Sequence, residues 1–215
     1  MNPITEIERR IEERHLLTHE FYTRWTKGTL PLEAMQEYSR QYYAFESNFP
    51  RYLSAIHSRT EDRGTRQALL DNLWDEEHGE ENHAELWLRF AEGIGVNRKE
   101  VLGAKPNDGT QALLDTYAQA STRAPVAAGV AALYAYERQV PKVAEAKIHG
   151  LAEHYGIADQ RTTRFFTVHS VLDEEHSEAE ASIVQRETDH AEETVAAAER
   201  ALDGWWGFLD AVTPA

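Results

Sequence analysis

Cysteine is absent from all 215 residues. That removes disulfides, thiolate zinc sites, iron–sulfur clusters and any cysteine nucleophile. Basic charge is scarce as well: 22 lysines and arginines stand against 37 acidic residues, a formal charge of −15. Such a surface repels nucleic acid and anionic membrane, so neither is an expected partner. No apolar run approaches the roughly 18 residues of a membrane span, and no charged-then-apolar leader opens the chain. The expectation is a cytoplasmic protein. Strand-like alternation is missing too, and no stretch reads as a flexible linker. What remains is an all-α fold, one helical domain over residues 1–215, long enough to bury a sizeable core.

Proline and glycine divide the chain into long helical segments. The spacing predicts helices over about Pro3 to Lys27, Pro31 to Ser58 with a bend at Pro50, and Thr65 to Gly93. A loop follows from Gly95 to Asp108, then helices over about Thr110 to Ser121, Pro125 to Tyr155 and Ile157 to Leu202. The last is expected to end in an aromatic tail, Trp205, Trp206 and Phe208, that either caps the helices or, the preferred reading, offers a homodimer contact. One motif occurs twice, as Asp75-Glu76-Glu77-His78 and Asp173-Glu174-Glu175-His176.

A buried charge needs a partner or a metal, so the informative acids and histidines are those on apolar helix faces. At about 100° per residue, Leu69, Leu73, Trp87 and Phe90 fall within about 60° of Glu76, as do Glu80 and His83. Asp75 and His78 lie among charged neighbours and read as solvated. On the last long helix, Phe165, Phe166, Leu172, Ile183 and Val184 share a face with His169, Asp173 and His176. Glu180 and Glu187 continue that stripe, either backing the three or leaving the core. Glu137 sits amid Val130, Leu133, Tyr134, Val140, Ala144, Ile148 and Leu151 with no evident cation. Three carboxylates and three histidines then face inward: Glu76, His83, Glu137, His169, Asp173 and His176. That donor set suits two ions of iron, or iron with manganese, better than a zinc hydrolase site, which needs fewer ligands.

The pattern Glu76-x6-His83, then Glu137, then His169-x3-Asp173-x2-His176 resembles the heme-oxygenase-like diiron oxidases, which share a helical fold with the TenA and PqqC proteins. It is most similar to the self-sacrificing para-aminobenzoate synthases of the CADD type. His19-Glu20-Phe21-Tyr22-x2-Trp25, Tyr42-Tyr43 and Lys147-Ile148-x-Gly150-Leu151 add to the likeness. The resemblance implies an oxidase that uses O2 and an external reductant to make para-aminobenzoate for folate synthesis from its own side chains. Tyr22 would supply the ring, Lys147 the amine, and Tyr43 would tune or relay the oxidation. Helical phase bears on the lysine independently: Lys147 lies about 80° from Glu137, at the edge of the inward face, whereas Lys142 lies about 140° away.

Other readings remain open at this level. A dimetal oxidase acting on an external small molecule would keep the six ligands and use Tyr22 and Lys147 structurally. A helical adaptor for another protein would bind no metal. A TenA-type hydrolase lacks its usual cysteine here, and a metal-free PqqC-like oxidase would have to tolerate three inward carboxylates.

Overall fold

A computed structural model describes residues 2–187 and 189–214. Among them there are twelve α-helices, one 3-10 turn and no strand. The order is α1 (Pro3–Glu13), the turn Leu16–Thr18, α2 (Glu20–Thr26), α3 (Leu32–Glu46), α4 (Phe49–His57), α5 (Arg63–Glu77) and α6 (His83–Gly93). There follow α7 (Arg98–Gly103), α8 (Asp108–Thr122), α9 (Val126–Glu137), α10 (Val140–Tyr155), α11 (Gln160–Gln185) and α12 (Ala191–Val212). Among the described residues no helix is long and apolar enough to cross a membrane.

The all-α expectation holds, but the expected long helices are broken, each for a local reason. His15 and His19 turn their Nδ1 atoms onto the backbone N–H groups of Leu17 and Phe21, and this capping divides the first segment. Pro50 and Pro141 each occupy the second position of a new helix, α4 and α10. Neither can donate to the carbonyl four residues back, so the preceding helices stop at Glu46 and Glu137. Gly79 takes φ +81°, and Asn82 caps α6, which parts α5 from α6. The loop expected after Gly95 contains the short α7, capped by Asn97.

The middle of the bundle is α9. Every residue from Ala127 to Glu137 is buried, as befits a helix apolar on all sides. It packs against α12, α11 and α8, while α11 also packs on α10 and α6. The aromatic tail is the second half of α12. Trp205 and Phe208 lie inside the core, and Trp206 is half-buried, its indole donating to the Arg14 carbonyl. Trp205 and Phe208 thus fill the bundle, and Trp206 alone of the three keeps part of its ring at the surface.

Helix α10 is seated on α2 by a close approach. A Cβ at Gly150 would stand 2.7 Å from Trp25 Cδ1 and 2.9 Å from Nε1, while the Trp25 indole donates to the Lys147 carbonyl at 3.3 Å. Gly150→Ala gains helix propensity but forces this contact apart, so a net loss of about 1–2 kcal/mol is expected in urea unfolding. Unchanged or increased stability would show that the contact gives way freely.

Candidate metal centre

Five helices deliver acids and histidines to one buried region. Glu46 is the last residue of α3, Glu76 the last but one of α5, and Glu137 the last of α9. His83 opens α6, and α11 supplies His169, Asp173 and His176. All seven side chains are buried, none more than 8% exposed. Ligand atoms of Glu46, His83 and His169 lie within 4.8 Å of one another, and so do those of Glu137, Asp173 and His176. Glu76 stands between the two groups: its Oε1 is 2.9 Å from His83 Nδ1, and its charge acts on Glu46, Glu137 and Asp173. The six residues named from the sequence are therefore brought together, and Glu46 joins them.

Burial acts on five of these groups. It pushes Glu46, with help from the Glu76 charge, up to about 8. Asp173 is raised well above the carboxylate range by burial and then by the Glu137 charge. Burial also raises Glu137, although Asn72 donates to its Oε1 at 3.0 Å. Desolvation opposes protonation of His83, but the charge and hydrogen bond of Glu76 together with the Glu46 and Asp75 charges outweigh it, and the ring rises to about 9. His169 is lowered well below its usual value by burial, then by His83. Helix geometry adds to the strain on the acids, because Glu46, Glu76 and Glu137 all stand at the negative ends of helix dipoles.

The hydrogen-bond pattern tests whether metal fits. Glu46 Oε1, Glu76 Oε2, Glu137 Oε2, Asp173 Oδ1 and His176 Nδ1 are all buried without a hydrogen-bond partner, and His83 Nδ1 has only the Glu76 carboxylate, at 2.9 Å. Buried polar atoms are rarely left so, and here the orphans converge. The outer nitrogens of two histidines, by contrast, are engaged. His169 Nδ1 faces the Phe165 carbonyl at 2.8 Å, leaving Nε2 free, and His176 Nε2 meets Asp75 Oδ2 at 3.1 Å. Such outward bonds fix imidazole tautomer and orientation in metal sites. The donor set fits iron or manganese.

The same geometry corrects parts of the sequence reading. Glu80 is exposed, because the break between α5 and α6 takes it off the inward face. His78 is exposed and stacks on Trp74 at 4.0 Å. Asp75 is not merely solvated, since it holds His176. Glu46 was missed, although Tyr38, Tyr42 and Glu46 repeat at four-residue spacing on the buried face of α3.

Beside this region lies a second buried feature. Lys147 is 4% exposed, and its Nζ donates to the Tyr38 hydroxyl at 2.6 Å. That nitrogen is 4.8 Å from the Tyr38 ring centroid and 5.4 Å from that of Tyr22, with Trp25, Tyr42, Trp87 and Phe166 completing the cage. The Tyr22 and Tyr38 hydroxyls are 3.5 Å apart. Burial lowers Lys147 to about 7 and raises Tyr22. Tyr43 stands apart from these rings: it is half-buried, and Arg98, Glu46 and Glu85 are the charges that reach it. Tyr42, its neighbour, turns inward and meets the Tyr136 hydroxyl at 2.5 Å.

An all-helical bundle with buried, converging carboxylates and imidazoles and no thiolate defines a class, that of non-haem metal redox proteins. More narrowly, the chain belongs to the family of iron-containing redox enzymes, which it matches over residues 36–206. It is 39% identical to a 4-aminobenzoate synthase of Chlamydia trachomatis, over 98% of this chain and 91% of that protein. It is 40% identical to a 4-aminobenzoate synthase of Nitrosomonas europaea, over 96% of this chain and 89% of the relative. Among solved structures it resembles a domain of unknown function with a heme oxygenase-like fold from Shewanella denitrificans, with TM-score 0.78 and 17% identity, covering 98% of this chain and 88% of that one. At that identity the likeness shows the fold alone.

Two predictions follow from the geometry. Ferrous protein should carry about two ions per chain; His83→Ala and His176→Ala should lower that number by metal analysis, and His78→Ala should not. Equal loss in all three would show that burial does not mark the ligands. The other concerns metal-free protein and pH. The folded value of Glu46, about 8, lies above its ordinary 4.5. Between those values the unfolded chain ionises while the folded one keeps its proton, so stability falls as pH rises. His83, raised to about 9 from 6.5, acts in the same direction at the upper end. The melting temperature of metal-free protein should drop between about pH 5 and 8, and less so in Glu46→Gln; equal slopes would remove Glu46 from the coupled group.

Proposed function

We propose that this chain makes 4-aminobenzoate from its own Tyr22, with Lys147 as amine donor, in an O2-dependent oxidation that consumes an external reductant. The observation that carries the reading is the cage: a buried lysine within 5.4 Å of the Tyr22 ring centroid, adjoining a cluster of unpartnered metal donors. The two synthases that are 39% and 40% identical to the chain supply the product class.

Iron, or iron with manganese, would be held by Glu46, His83 and His169 on one side and Glu137, Asp173 and His176 on the other, with Glu76 between. Bound there, it supplies the oxidising power drawn from O2. The chain's own residues do the rest. Tyrosine is already a para-substituted ring: breaking its Cα–Cβ bond, with O2 as oxidant and oxygen source, can turn Cβ into the carboxylate carbon, and departure of the hydroxyl oxygen as water leaves a ring position to receive nitrogen. An ammonium has no lone pair to give. Burial, which brings Lys147 to about 7, leaves a large neutral fraction near neutral pH. The Tyr38 hydroxyl fixes Nζ at 2.6 Å and also faces the Tyr22 hydroxyl, so Tyr38 holds the two reacting groups in register. The aromatic walls keep water out of the cage. Tyr43, half-buried beside Glu46 and Arg98, would tune the oxidation through the centre's field rather than by touching Tyr22.

Purified protein given ferrous iron, with or without manganese, reductant and O2 should release 4-aminobenzoate with no aromatic substrate added. The yield should not exceed one molecule per chain, because the source is consumed. Ring-labelled tyrosine incorporated during expression should label the product. Tyr22→Phe should abolish product and keep metal binding, and Lys147→Arg should fail too, since a guanidinium keeps the charge but cannot surrender a primary amine. Sustained turnover, or labelled product from Tyr22→Phe protein, would instead establish an oxidase acting on an external substrate.

A further inference from the structure

We propose that Glu180 is a further metal-binding carboxylate, a ligand of the ion held by Glu137, Asp173 and His176; the proposal rests on the reading of that cluster as a metal centre. Glu180 lies on α11, seven residues beyond Asp173 and four beyond His176. At about 100° per residue it falls within about 20° of the first and about 40° of the second. One stripe of α11 thus presents His169, Asp173, His176 and Glu180, all buried. Side chains on a helix lean toward its N-terminus. A glutamate at position 180 therefore reaches back over His176, toward the Glu137 carboxylate that its charge meets.

Its surroundings give it no other employment. Glu180 is 3% exposed, and its oxygens have no hydrogen-bond partner other than the carboxyl group of Glu137. The charges that act on it, those of Glu137 and Asp173, share its sign. A structural glutamate in a core would be capped by arginine, lysine or backbone N–H groups. Glu180 faces only other acids. A cation shared with Glu137 and Asp173 would serve all three carboxylates. The three donors already grouped there, Glu137, Asp173 and His176, also leave positions free on an iron or manganese ion, which takes up to six ligands.

The test is equilibrium binding of Mn(II) to metal-free protein, with the free ion counted by its paramagnetic resonance signal. Wild type should take up about two ions per chain. Glu180→Gln, which keeps the volume and loses the charge, and Glu180→Leu, which fills the space with an apolar side chain, should bind one ion as wild type does and the other about tenfold more weakly or worse. In a Glu137→Ala background, Glu180→Gln should weaken the second ion further, because a ligand acts whether or not Glu137 is present. Two ions bound with wild-type affinity in both single variants would overturn the proposal. So would a Glu180→Gln effect that vanishes in the Glu137→Ala background, since Glu180 would then act only by steadying Glu137. Failure of the metal-centre reading looks different, because wild type itself would then bind no ion. Melting of the metal-free forms serves as the folding control: Glu180→Leu should match or exceed wild type, and if it does not fold the isosteric Gln variant decides.

Discussion

Buried negative charge is the constraint on which the rest of this structure depends. Glu46, Glu76, Glu137, Asp173 and Glu180 lie together in the bundle, none more than 4% exposed. A single unpaired carboxylate in such a place costs several kcal/mol or takes up a proton. Five cannot coexist as anions without cations. Without metal, protonation is the chain's recourse, which is why burial moves Glu46, Glu137, Asp173 and Glu180 upward together. With metal, the same groups become an anionic cradle and the liability turns into affinity, because ions that bind only the folded state also stabilise it.

The aromatic cage is governed by the same low dielectric acting on a group of opposite sign. Burial that raises the carboxylates lowers Lys147 to about 7, so both sites incline toward neutral forms. They are joined by one face of α3. Tyr38 accepts from Lys147, Tyr42 packs 4.0 Å from Trp87, and Glu46 faces His83 and His169. Eight residues of helix span about 12 Å, so one rigid element sets the distance between the candidate oxidising centre and the side chains proposed to be consumed.

Helical phase made much of this legible without coordinates, since apolar faces are read from residue type alone. The grouping of His169, Asp173 and His176 needed only the continuity of α11. Glu76 and His83 were grouped by phase along a helix that proves discontinuous, and the same assumption carried Glu80 wrongly inward. The error spared His83 because α6 restarts with that residue at its N-terminus, aimed back at Glu76. Glu46 was lost because the face of the second segment that carries Tyr38, Tyr42 and Glu46 was not read for inward acids. Asp75 could not be found by phase at all. Its role depends on which neighbour packs beside it, and pairing between helices is not encoded in a single helix's periodicity. The same holds for Tyr38 and Tyr43, whose functional distinction lies in their contacts with Lys147 rather than in residue type.

The misread boundaries also explain how the centre is assembled. Pro50 follows Glu46 by four residues, Gly79 follows Glu76 by three, and Pro141 follows Glu137 by four. A proline four residues on removes the N–H that the ligand's own carbonyl would have received, so the helix ends where the ligand stands. Each break places a carboxylate at a helix C-terminus, where its charge and the helix dipole add. It also lets the chain turn away before the following helix could crowd the site. A bundle of uninterrupted helices would carry these acids on long parallel faces, spaced by the helix pitch. Interrupted helices bring their ends to one place and focus negative potential there. The breaks that obscure the secondary structure in the sequence are thus the devices that gather the buried carboxylates of the candidate centre.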